Sequence, residues 1–387
     1  MSRTGQLGGQ RRSPGRGSVV KAAIACGLIV LSWGVGAAAG GVRVPAGLEY
    51  VHQRIGEMPW SIHVVKVDRR RSTFRLTTTL AQDQVYGLAS VREQVKGLGG
   101  DAVAAVNGDF FRIRRGPYQG DPLGLQIAGG ELVSAPTGAS FWIDGDGQPH
   151  MGEVAFRFRA RGPGELDIRF GLNEARADDG AVLYTPTVGA CTRTVGGLEL
   201  VLGQDGDAWL PVRAGGRYRA KVAAVCADGN TPVESERMVL SIGPELARTV
   251  GDVKVGTALE LRLETTPDLT GATAALGGGP ILLRGGEEPD WGERKQRHPR
   301  TAIGWNREHL FLVVVDGRQA GLSMGMNYGE LSALMRRLGC TEAMNLDGGG
   351  SSTLWLGGDV MNSPSDGRER LVANSLIVVS RQENEGR

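Results

Sequence analysis

Cysteine and histidine are both scarce, with four and five copies in 387 residues. No cysteine stands near a histidine at zinc-ligand spacing, so a structural zinc site is not expected. Cys26 falls within an apolar leader. Cys191, Cys226 and Cys340 then remain, an odd number for an oxidising compartment, and a Cys191 to Cys226 bridge is allowed without being required. Charge of one sign is also lacking: the formal net charge is +2, with neither a basic stripe nor an acidic tail, so no nucleic-acid partner is expected. Three catalytic fingerprints are missing as well. There is no G-x-x-x-x-G-K-S/T and no G-x-G-x-x-G opening a helix after a strand, which disfavours nucleotide or NAD chemistry. Without a G-x-S-x-G elbow, Ser351 and Ser352 read as hydrogen-bond donors or turn caps rather than nucleophiles. "IDGDGQ" lacks the later ligands of a calcium loop and reads as a hairpin turn.

What is present begins with a leader. Residues 1–21 carry Arg3, Arg11, Arg12, Arg16 and Lys21 with no acid, and "AAIACGLIVLSWGVGAAAG" follows, ending in small residues. This order is that of a signal peptide over 1–39 or of an uncleaved N-terminal anchor. Either implies an exported protein, secreted, periplasmic or in the cell envelope, touching a membrane only through residues 22–39 if uncleaved.

Past the leader, "SIHVVKVD" and "TFRLTTTL" alternate as strands do. "GLASVREQVKGLGG" sets Leu88, Val91, Val95 and Leu98 on one helical face, and the strand "DAVAAV" leads to Asn107, Gly108 and Asp109. The same order returns in "NYGELSALMRRLGC", where Asn327 and Glu330 stand as a capping box before the strand that reaches Asn345 and Asp347. A third strand, "HLFLVVV", ends in Asp316 and Gly317. Short alternating runs with Gly, Asp and Pro turns fill about 150–270. The expected fold is α+β: a mixed β-sheet core with flanking helices over 48–382, carrying a β-rich inserted section at about 150–270.

Three strand ends that each deliver an acid suggest a shared cleft, since open sheets place ligands at strand termini. Asp109, Asp316 and Asp347 are the candidate acid/base set, and Asn107 and Asn345 are candidates for orienting sugar-type hydroxyls. Gly278 and Gly279 in "ALGGGPILL", and Gly348, Gly349 and Gly350 in "NLDGGGSS", could offer backbone N–H groups to an anion. Arg300, beside Thr301, could fork onto phosphate oxygens. Clustered Asp and Asn oxygens also suit calcium or magnesium, although none is required as a first reading. Tyr328 either lines the pocket or packs at the helix start.

In order, "AVNGDFF", "LNEARADDGAVLYTPTVGACTRT", "ALGGGPILL", "PRTAIGWN", "LFLVVVDGRQAGLSMGMNYGELSALMRRLGC", "AMNLDGGGSSTLW" and "NSPSDGRERLVANSL" resemble the phosphodiester glycosidase family. The likeness runs over roughly residues 50 to 380 and is most specific in its last third. The resemblance implies a hydrolase that cleaves a sugar C1–O–phosphate bond, with a carbohydrate phosphodiester or a cell-wall or extracellular glycopolymer as substrate. It also implies Arg300 and the glycine turns as the phosphate grip. Two alternatives are a glycan- or phosphate-binding protein without turnover and a phosphodiesterase that breaks O–P.

Overall fold

The structure, a computed structural model, describes residues 44–380 except 57–58, 72 and 291–294. The leader 1–39 lies outside the described residues.

Two antiparallel sheets form the central sandwich. The first runs in the order Leu48–Ile55, Trp60–Asp68, His309–Val315, Arg300–Trp305, Glu342–Asn345, Ile281–Leu283. The second runs Asp359–Val360, Leu354–Leu356, Ala102–Asn107, Asn374–Ser380, Phe74–Leu80. Successive side chains of a strand point to opposite faces. Val65, Val67, Ile303, Leu312, Val314 and Met344 therefore face Ala104, Val106, Leu354, Leu376 and Val378 between the sheets. Ile62, Val64, Ala302, Val313 and Val315 face the other way, onto the helix Tyr328–Arg337. Burial on both faces is why "HLFLVVV" reads as an unbroken apolar run.

That helix is capped as its sequence predicts. The Asn327 side chain accepts from the Glu330 N–H while Glu330 reaches back to the Asn327 N–H, and Leu331, Leu334 and Met335 pack onto the sheet. The helix Val91–Lys96, capped by Ser90 and Glu93, covers the outer face of the second sheet through Val91 and Val95. The layers are thus helix, sheet, sheet, helix.

A third sheet of twelve strands curls toward a nearly closed barrel. It takes in the β-rich stretch and also Gln126–Ala128, Gly138–Ile143 and Ala274–Gly277. The turn at Asp144 closes the hairpin between Gly138–Ile143 and Pro149–Arg161, its carboxylate accepting from the Asp146 and Gln148 N–H groups.

The expected fold class needs correction. Strands hold 44% of the described residues and helices 9%, so the described protein is mostly β. The sandwich sheets are not mixed, since every pairing in them is antiparallel. The helix Val91–Lys96 joins Phe74–Leu80 to Ala102–Asn107, and Tyr328–Arg337 joins His309–Val315 to Glu342–Asn345, each crossing one intervening antiparallel strand. Cys191, Cys226 and Cys340 are free thiols. No helix among the described residues is long and apolar enough to cross a membrane.

Candidate active site

The ends of Ala102–Asn107, Glu342–Asn345 and His309–Val315 and the start of Arg300–Trp305 lie at one end of the sandwich, because antiparallel pairing sets Arg300 opposite Val315 and Ala302 opposite Asn345. Asn107 ties the two sheets together there. Its Nδ2 donates to the Asp347 carbonyl at 2.7 Å, and its Oδ1 accepts from Thr301 Oγ1 at 2.7 Å and from the Thr353 N–H at 3.1 Å. The Asp347 N–H donates in turn to the Gly108 carbonyl. Two acids, Asp109 and Asp347, are held together by this knot.

Asp109 is buried, with 3% of its surface exposed. Oδ1 accepts from the Phe110 N–H at 2.7 Å and Oδ2 from the Gly124 N–H at 2.8 Å. Burial pushes its carboxyl up to about 7, against the pull of those two N–H donors, and the nearby Asp347 charge adds to the rise. A Cβ on Gly277 or Gly124 would stand 2.4 or 2.7 Å from Asp109 Oδ2, so both positions require glycine to admit the carboxylate. Asp347 is half-buried. Burial raises its pKa, while the Ser351 hydroxyl, the Gly348 N–H and the Arg370 charge hold the rise back.

Asp316 comes to the same end of the sandwich but is fully engaged. Oδ2 meets His63 Nε2 at 3.0 Å, and Oδ1 accepts from Asn362 Nδ2 and the Ser363 N–H. Burial would raise its pKa, yet the His63 hydrogen bond and charge, with Ser61 and Asn362, bring it below the usual carboxylate value. His63 Nδ1 lies 2.8 Å from the Tyr50 hydroxyl. Asn362 Nδ2 also donates to the Ser352 carbonyl, so Asp316 acts on the glycine turn through Asn362.

Several expectations meet a different geometry. Arg300 neighbours Thr301 in a strand and so points to the opposite face. Thr301 faces Asn107, whereas Arg300 lies 4.1 Å over the Tyr328 ring on the helix side and donates to the Met326 and Gln296 carbonyls. Tyr328 is accordingly a packing residue at the helix start. Asn345 Nδ2 donates to the Gly279 and Leu346 carbonyls, while its buried Oδ1 has no hydrogen-bond partner among the described residues. The N–H groups of Gly277, Gly278 and Gly279 donate to Leu125, Ala139 and Asn345, which leaves none for an anion. The Gly348 and Gly349 N–H groups are likewise taken, by Asp347 Oδ1 and the Pro299 carbonyl. Ser352 Oγ is buried without a hydrogen-bond partner among the described residues.

The triple glycine makes room for two arginines. A Cβ on Gly349 would lie 3.1 Å from both terminal nitrogens of Arg318, and one on Gly350 would lie 2.1 Å from Arg370 Nη2. Arg318 adopts φ +60°, a conformation unusual for a residue with a side chain, which places its exposed guanidinium beside the turn. It meets His298 Nδ1 at 3.2 Å. Burial, then the charges of Arg300 and Arg318, lower the His298 pKa, so this imidazole is neutral near pH 7. Arg370 pairs with Asp366 at 2.7 Å. Sequence reasoning passed over Arg318, Arg370 and His298. The available signal was Asp-Gly-Arg standing directly past a buried strand.

Asp109 and Asp316 spend their oxygens on N–H donors, and among the described residues no three His, Cys, Asp or Glu side chains gather to hold a metal ion. This donor set does not fit calcium or magnesium, which take six or more oxygens. A cavity of about 1150 Å³ opens at the β-rich sheet, lined by Phe156, Asp167, Phe170, Glu174 and Val250, apart from all these groups.

The phosphodiester glycosidase family model matches residues 211–379, which include Arg300, Arg318, Asp316, Asp347 and Arg370. Residues 211–379 belong to the phosphodiester glycosidase family. Two relatives share shorter stretches. The SPbeta prophage-derived protein YomE of Bacillus subtilis strain 168 is 38% identical over 89 residues, which is 23% of this chain and 14% of that protein. The N-acetylglucosamine-1-phosphodiester alpha-N-acetylglucosaminidase of Mus musculus is 41% identical over 68 residues, 17% of this chain and 13% of that enzyme. The matches thus span only a small part of either relative. Among solved structures, a protein of Burkholderia pseudomallei K96243 whose name calls it exported has a TM-score of 0.66 at 23% identity, covering 83% of this chain and 74% of that one. That likeness is one of fold. Asp109 and Asn107 lie outside the segment matched to the phosphodiester glycosidase family, while Asn107's partners Thr301, Asp347 and Thr353 lie within it.

Proposed function

We propose that this protein is an exported hydrolase that cleaves a sugar C1–O–phosphate bond in a sugar-1-phosphodiester. The observation that carries the reading is the joining of Asp109 and Asp347 by the Asn107 knot, beside two arginines seated on the glycine turn. Glycosidic cleavage uses one carboxyl that holds a proton and one that does not. Asp347, half-open and next to Arg370, is the ionised carboxylate that meets the anomeric carbon or its attacking water. Asp109, buried behind it with a pKa near 7, is the proton-holding partner. Arg318 and Arg370 grip the phosphate, where charge develops as the C–O bond breaks. A leaving phosphate held by two guanidinium groups needs less protonation than an ordinary alcohol. Asp316, Asn107, Asn345 and Arg300 position the turn and the strand ends. Export is supported by the basic-then-apolar leader.

The test is hydrolysis of a panel of sugar-1-phosphodiesters by the purified protein in heavy-oxygen water. Label should enter the sugar at C1. Asp347→Asn should lower kcat on the order of 10³-fold, and Arg318→Gln should raise KM roughly tenfold. Label on phosphate would make the protein a phosphodiesterase. Binding of the panel without turnover would make it a binding protein.

A further inference from the structure

Asp109 stands at the base of a hairpin whose far end does nothing in the reaction just described. The chain leaves Asp109 through Phe110, pairs Phe111 with Pro122, and returns to Gly124, whose N–H donates to Asp109. Its outer part, residues 110–120, reads "FFRIRRGPYQG" and carries no acid, while Asp121 stands at the returning base. Arg112, Ile113, Arg114 and Arg115 are all exposed at its outer part. Arg112 leans toward Asp121 at 3.9 Å, while Arg114 and Arg115 have no hydrogen-bond or ion-pair partner among the described residues.

The hairpin is nevertheless braced. The Arg112 N–H donates to the Asp121 carbonyl and the Gly120 N–H to the Arg112 carbonyl. The Tyr118 hydroxyl reaches the Arg193 carbonyl at 3.0 Å, and the Arg193 guanidinium donates to the Pro117 carbonyl at 2.5 Å while lying over the Tyr86 ring. Two unpaired guanidinium groups are therefore held out on a fixed arm that starts at a site acid. A whole-chain charge of only +2 makes this a local feature rather than general basicity.

The geometry points to an extended binding rail on this arm for a polyanionic chain, namely a polymer of sugars joined by repeating phosphodiesters. This deepens the proposed function and rests on it. A single diester needs one phosphate grip, which Arg318 and Arg370 supply. A chain with further phosphates beyond the scissile one would carry negative charge past the cleft, where Arg114 and Arg115 meet it. Guanidinium groups suit phosphate because their fork matches its oxygens. A lipid surface fits less well, because membrane docking needs a continuous apolar face, and on this hairpin the large exposed apolar side chains are Ile113 on the outer part and Leu123 at the base.

The experiment compares a linear poly(hexose-1-phosphate) with a single hexose-1-phosphodiester, using the full chain and its Arg114→Glu/Arg115→Glu variant, over a range of salt. We expect the polymer's kcat/KM to fall about tenfold in the variant and to lose most of its salt dependence, while the small diester changes less than about twofold. Equal loss on both substrates, or no effect on either, overturns the rail. If neither substrate is cleaved but the polymer binds in an Arg114- and Arg115-dependent, salt-sensitive manner, the rail stands and the hydrolase reading falls. Binding that is equally strong to polygalacturonate, or to vesicles of phosphatidylglycerol and phosphatidylcholine, overturns the assignment to a phosphodiester chain.

Discussion

Gly350 is a residue whose role is clear only once its neighbours are known. Its missing side chain leaves space for the Arg370 guanidinium and the Asp366 carboxylate, which a Cβ would approach to 2.1 and 2.2 Å. Both are tips of flexible side chains rather than backbone, so Gly350→Ala should fold and shift Tm by only a few degrees, on the order of 1 kcal/mol. Arg370 should be displaced, and KM for the diester should rise several-fold with kcat less affected. Steady-state kinetics beside a thermal melt separate the two effects. The glycine run was visible in the sequence, but its purpose was not. Consecutive glycines signal a close approach without saying what approaches. Arg300 was misplaced for a related reason, since alternation along a strand fixes which residues share a face only after one of them has been assigned a side.

The elements carry the site through Asn107. Its three hydrogen bonds join the end of Ala102–Asn107 to the turn after Glu342–Asn345 and to Thr301 and Thr353. Replacing it by alanine leaves Thr301 Oγ1 and the Thr353 N–H unpaired in a buried place and the Asp347 carbonyl unpaired in a partly buried one. A cost of roughly 3 kcal/mol is expected, at about 1 kcal/mol or more for each group left unpaired. Denaturant unfolding should show it as a lower midpoint at unchanged slope, with activity reduced further than stability because Asp347 loses its register with Asp109. At this scale the sequence was legible where period and capping agree. The helix Tyr328–Arg337, the strand His309–Val315 and the paired Asn-x-Asp termini were all readable. What it concealed was pairing direction, which depends on contacts between strands far apart in the chain. A helix followed by a strand looks alike whether that strand joins its neighbour parallel or antiparallel.

Over the whole molecule, buried acids set how stability follows pH. Asp109 has its carboxyl raised from 3.8 to about 7, and Asp121, buried near Arg112 and Glu174, is raised to about 7 as well, chiefly by burial. Both are protonated in the folded chain where the unfolded chain has already released its proton. Their contribution is complete below about pH 4 and is lost as pH rises through about 7, each tenfold gain in proton affinity corresponding to about 1.4 kcal/mol. Asp316 works in the opposite sense, its stabilisation being lost as pH falls through the carboxylate range. The pH series of unfolding free energies should therefore decline between about pH 4 and pH 7. Asp109→Asn should make that decline shallower and leave the part due to Asp121 and to the other acids that burial raises, Asp347, Glu131 and Glu174. Activity should fall above about pH 7 as Asp109 gives up its proton.

The long strand Pro149–Arg161 has one further consequence. Over Pro149–Val154 it pairs with Gly138–Ile143, whose Phe141 and Ile143 pack into the sandwich core, and over Ala155–Arg161 it pairs with Ala258–Thr266 of the curled sheet. A joint that bends needs a stretch of chain free to rotate, and here the connecting stretch is laced to a neighbour along its whole length. The packing of Phe141 and Ile143 against the sandwich core couples the curled sheet to the sandwich. A ligand then meets a cleft that is already shaped, and rapid-mixing experiments should record one concentration-dependent phase with no slower closing step after it.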